Sequence, residues 1–132
     1  MTQGIVSVPS RYPVAAMVRR LQAQVEQHGA AVFAVIDHAA GARRAGQQMP
    51  ETQVLIFGDP AVGTPLMLAV PDIALDLPMR VLVRDDGAGG SVVAWQDPGY
   101  VAARFGVPEG RLKPFAAVAT LVAAALGSDP AS

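Results

Sequence analysis

Between Pro13 and Gly29 the apolar residues Val14, Met17, Val18, Leu21 and Val25 recur at helical spacing, and no other stretch restricts the fold as tightly. Their i, i+3, i+4, i+7, i+11 pattern places all five on one stripe of a helix. Pro13 suits the first turn, where its missing N–H removes no hydrogen bond. His28-Gly29 closes the segment, with glycine free to take a left-handed cap and histidine near the negative helix end.

The segments around this helix read mostly as strands. Gly4 to Val8 is expected to be a first strand ended by Pro9, Ala31 to Asp37 a second, and Thr52 to Phe57 a third. His38 to Gln47 is Ala-rich and suits a short helix or turn. Asp59 can cap a short helix over Pro60 to Ala69. Met79–Arg84 and Ser91–Gln96 flank the loop Asp85-Asp86-Gly87-Ala88-Gly89-Gly90 and predict a hairpin. Pro98 to Phe105 reads as a helical turn entered through Asp97. Lys113 to Leu126 reads as a closing helix with Phe115, Val118, Val122 and Leu126 on one face. The order implies an α+β fold: an antiparallel or mixed sheet of four or five strands, two main helices on one face, and short helical inserts. One domain is expected over residues 4–127, with flexible termini at 1–3 and 128–132.

Composition narrows the function classes. The 132 residues fit one domain, and a chain of that size can bury a core without staples. Hydrophobic residues make up 52% and charged residues 16%, a balance that suggests surface hidden in a homo-oligomer, most simply a homodimer. Ten basic residues face eleven acidic ones. Only Arg43-Arg44 is locally basic, so a nucleic-acid footprint is not expected. There is no cysteine, which excludes disulfides and thiolate chemistry. The longest apolar stretch free of charges and prolines, Phe115 to Leu126, falls short of the roughly 20 residues a bilayer needs. No secretory signal pattern opens the chain. A soluble, cytoplasmic protein is expected.

Several short motifs occur together in register: IDHAAGA at Ile36 to Ala42, VLIFGDP at Val54 to Pro60, GTPLM at Gly63 to Met67, LDLPMRVLV at Leu75 to Val83 and WQDPGYVAARFG at Trp95 to Gly106. The chain resembles the bacterial and archaeal family catalogued as "domain of unknown function 302" over about Ile5 to Leu126. The resemblance implies a dimeric α+β domain and carries no catalytic residue with it.

Candidate chemistry rests on few side chains. Asp37-His38 lies where a strand gives way to a loop, and a carboxylate can orient a histidine acid/base. The plainer reading makes Asp37 a cap of the following turn. Gly58 to Pro65 looks like a phosphate loop, yet two of its eight residues are prolines without an N–H and no lysine follows. Thr64 remains a candidate contact for a small polar group. Asp76, among apolar neighbours, calls for a partner, and Arg80 is the natural one. Trp95, the single tryptophan, suits ligand stacking or core packing. Two histidines without spaced ligands make a metal site unexpected, and no cofactor is expected. The leading expectation is a non-catalytic ligand-binding or sensory homodimer with a small-molecule pocket lined by His38, Thr64, Asp76, Arg80 and Trp95, near Asp37. The alternatives are an enzyme using a His38–carboxylate pair, and a structural or protein-interaction module.

Overall fold

A computed structural model describes residues 3–127. The expectations for residues 1–2 and 128–132, including the frayed tail, lie outside it. Strand β1 (Ile5–Ser10) is followed by helix α1 (Val14–Gln27), β2 (Ala31–Asp37), α2 (His38–Arg44), β3 (Thr52–Gly58) and α3 (Pro60–Ala69). After a 3₁₀ segment over Pro71–Asp76 come β4 (Met79–Asp85), β5 (Ser91–Gln96), α4 (Pro98–Phe105) and α5 (Lys113–Leu126). The strands form one sheet in the order β1-β5-β4-β3-β2. Every neighbouring pair is antiparallel. The fold is α+β with a wholly antiparallel sheet.

Strands β2 to β5 therefore form a meander, while β1 joins the free side of β5. Edge strands β1 and β2 run parallel to each other, so α1 must carry the chain back across one face. Its stripe meets that face: Val14, Met17, Val18, Leu21 and Val25 are all buried. Helix α5 lies beside it with Phe115, Val118, Leu121, Val122 and Ala125 buried. Leu126, expected on that face, is only partly buried, and Leu121 and Ala125 join it instead. Beneath the two helices the sheet contributes Leu55, Phe57, Met79, Val81, Val83, Val93 and Trp95. Each large aliphatic side chain removed from water here stabilises the fold by about 1.5–3 kcal/mol.

The helix pair is tied by one long side chain. Arg20 Nε donates to the Ala125 carbonyl at 2.6 Å, and its guanidinium lies 4.2 Å from the centre of the Tyr12 ring. This stacking clamps the start of α1 to the end of α5.

Helix α3 covers the expected span Pro60–Ala69, with Pro65 inside it. Two details depart from the sequence reading. Pro9 does not end β1, which runs on to Ser10 with Pro9 opposite Val92. An edge strand tolerates a missing N–H on its open side. The register of β2 on β3 also shifts between Val32 and Ala34, leaving Phe33 as the extra residue of a bulge.

Candidate functional site

A large cavity lies at one end of the sheet, where α3 and the first turns of α5 overhang the ends of β2, β3 and β4. It is a cleft of about 640 Å³. Phe33, Phe57, Val62, Met67, Met79 and Leu121 supply much of its apolar wall, with His28, Asp59, Thr64, Lys113 and Thr120 as its side chains of polar character.

Local sequence explains each wall. The bulge in β2 turns Phe33, 49% exposed, out of the regular alternation and into the cleft. Gly58 makes room for it, since a Cβ there would come within 3.3 Å of the Phe33 ring. Asp59 caps α3 by accepting from the Ala61 N–H at 3.0 Å, so this carboxylate is already engaged. Leu66 anchors α3 in the core and leaves Val62 and Met67 lining the cleft. His28 follows α1, where Gly29 takes φ 77°. The His28 Nδ1 lies 2.8 Å from the Gln24 carbonyl. A carbonyl only accepts, so Nδ1–H is the donor and Nε2 is left for other contacts. Lys113, exposed at the start of α5, makes no ion pair among the described residues.

The residues proposed from sequence do not gather here; Thr64 alone of the six lines the cleft. Asp37 accepts from the Ala40 N–H at 2.9 Å and caps α2, in keeping with the plainer reading. His38 is exposed, with no acidic partner among the described residues. Both line a second, shallow depression with Ile36, Gly41, Arg44 and Met49. The distance between these groups and the cleft reflects the strand direction: β2 carries Asp37 to the end opposite Ala31.

Asp76 pairs with Arg80 at 3.8 Å, as its apolar surroundings demanded. A second partner comes from far along the chain, Arg104 on α4 at 3.3 Å. Asp76 is 6% exposed while both arginines are about half exposed. The cluster holds the 3₁₀ segment against β4 and α4. Trp95 is a core residue at 7% exposure, opposite Val6. The sequence reading missed Phe33, Met67 and Lys113. Only the Gly58-Asp59-Pro60 turn hinted at them, by marking where a helix swings over the sheet end.

Among the described residues no group of three or more His, Asp or Glu is placed to hold a metal. No helix among them is long and apolar enough to cross a membrane. Among the described residues no ion pair joins an acidic and a basic side chain of the cleft.

Known proteins place these features in a family. The chain is 43% identical over 101 residues to "Fluoride-specific ion channel FluC 1" of Brucella suis biovar 1, a match covering 76% of this chain and 40% of that protein. It is equally identical to "Fluoride-specific ion channel FluC 2" of Brucella melitensis biotype 1, over 37% of that protein. The chain thus spans about two-fifths of the length of these relatives. A solved structure of an uncharacterized conserved DUF302 protein from Bacillus stearothermophilus superposes with a TM-score of 0.77 at 14% identity, covering 95% of this chain and 97% of that one. It shares the fold. The family model described as "Domain of unknown function DUF302" matches residues 6–126, nearly all of the sheet and its helices, and the chain belongs to that family.

Proposed function

We propose that this domain binds a small, mainly apolar molecule in the cleft beneath α3, as a non-catalytic module working in the cytoplasm as a homodimer. The observation that carries the reading is the cleft itself. Its volume of about 640 Å³ falls within the roughly 300–1,000 Å³ typical of small-molecule sites. Its wall has the expected make-up, aromatic and Met side chains with a few polar groups that fix orientation. Thr64, Thr120 and Lys113, which makes no ion pair among the described residues, suit one polar or anionic group on an otherwise apolar ligand.

The relatives named as fluoride-specific channels carry the matched segment on a minor part of their length. In those proteins we read it as an appended ligand-binding domain. Fluoride is a strongly hydrated anion whose transfer to an apolar wall is costly, so it is not the ligand proposed for the cleft.

The test is a thermal-shift titration with decanoate, indole-acetate and sodium fluoride. A ligand that binds only the native state raises apparent stability by mass action, about 2.7 kcal/mol at a hundredfold excess over Kd. An organic acid is expected to raise Tm, and fluoride to leave it unchanged. Ala117→Trp, which fills the cleft from α5, is expected to abolish the shift while the far-UV spectrum stays native. A shift that survives Ala117→Trp would place binding elsewhere.

A further inference from the structure

The sheet has two faces and the main helices cover only one. Strict alternation puts Leu55, Phe57, Val81, Val83 and Val93 beneath α1 and α5. The residues between them point the other way. An antiparallel sheet open to water on one side normally shows a polar outer face. This one does not. Its apolar residues are Val54, Ile56, Leu82 and Val92, all partly exposed, with Ala94 buried among them at 9% and Ile36 on the β2 edge. Ile36 is 42% exposed, and Ile5 on the far edge is 46% exposed. The charged residues of this face, Arg80 and Arg84, sit near the two ends of β4 with Leu82 between them. An apolar centre with charge at its margin is the anatomy of a protein interface.

We infer that this open face is where two copies of the chain meet, sheet against sheet. The inference is independent of the cleft, which lies among the helices of the other face. Area supports a second copy as the occupant. Five strands of six or seven residues, about 4.8 Å apart with about 3.4 Å per residue, give a footprint of roughly 500 Å². Two such faces bury about 1,000 Å² before side-chain relief is counted, which reaches the size of a specific interface. A flat face can be self-complementary under a two-fold axis. Sheets packed in this way interleave their side chains about 10 Å apart, and β-branched residues such as Ile36, Val54, Ile56 and Val92 suit that layer.

Two further readouts separate this surface from the apolar edge of β2, the other place where a second copy could pair. Sedimentation equilibrium at micromolar concentration is expected to show a dimer for the native chain. Leu82→Glu and Val54→Glu are expected to be monomers with native far-UV spectra, because each places a charge at the apolar centre without touching the helix-covered core. Val35→Lys, on the β2 edge, is expected to remain dimeric. The lack of cysteine permits a second measurement that does not depend on a disruptive variant. Leu82→Cys is expected to cross-link with a short bismaleimide as a dimer, whereas Ala119→Cys on α5 is not. A monomeric native chain, a dimer that survives both glutamate variants, or cross-linking through α5 instead of Leu82 would overturn the inference.

Discussion

Asp76 and Arg104, 28 positions apart in the chain, meet at 3.3 Å with the carboxylate nearly withdrawn from water and the guanidinium half in it. The second contact, to Arg80, is longer at 3.8 Å. The buried partner is the one that cannot be left alone, since an unpaired buried charge costs more than a solvated arginine.

Asp76→Asn is therefore expected to lower stability by about 1–3 kcal/mol, because both arginines can turn to water. Arg104→Ala should cost more than Arg80→Ala, the shorter contact being the one that neutralises Asp76. Urea denaturation of the three variants gives the order; equal losses for the two arginine variants would contradict it.

Buried and exposed leucines should separate cleanly. Leu21 is 1% exposed in the stripe of α1, while Leu68 on α3 is 79% exposed. Leu21→Ala is expected to cost about 2–5 kcal/mol through lost burial and a cavity. Leu68→Ala should stay within about 0.5 kcal/mol. Chemical denaturation midpoints check both.

The hairpin between β4 and β5 depends on a close approach. A Cβ at Gly90 would run into the Ser10 carbonyl oxygen and lie 2.8 Å from an Asp86 carboxylate oxygen. Backbone on the neighbouring strand cannot step aside as a flexible side chain can. Gly90→Ala is expected to destabilise by about 1–3 kcal/mol, whereas Gly46→Asn, at a left-handed position with open space around it, should be nearly neutral. Thermal melts of the pair test the contrast.

Asp37 and His38 should differ sharply although adjacent. Asp37→Ala removes the cap on the Ala40 N–H and is expected to cost about 1 kcal/mol. His38→Ala, on an exposed side chain, should leave stability unchanged within about 0.5 kcal/mol. A large loss with His38→Ala would reveal a role that its surroundings do not show.

Much of the fold was legible because its elements are dictated locally. The α1 stripe, the bounds of β2, the Asp59 cap of α3 and the span of α5 follow from spacing and capping chemistry among neighbours in sequence. The site was not legible in the same way. Thr64 lines the cleft because it lies on α3, whose start the local Asp59-Pro60 signal marks. Phe33 has no such signal, because a bulge is a mismatch between two strands and shows in neither alone. His38, Asp76, Arg80 and Trp95 were grouped by residue type, and the topology sends them to separate regions.

By itself the sequence determined which segments become helices and strands, the α+β class and the need of Asp76 for a cation. Those depend on backbone preference and on the cost of burying charge. Tertiary structure alone decided that β1 is an edge able to hold Pro9, that Arg104 joins Asp76, that Phe33 turns into the cleft, and that one apolar face of the sheet stays uncovered. Each of these depends on which distant segments pack side by side, and that follows from the closure of the whole sheet rather than from any stretch of it.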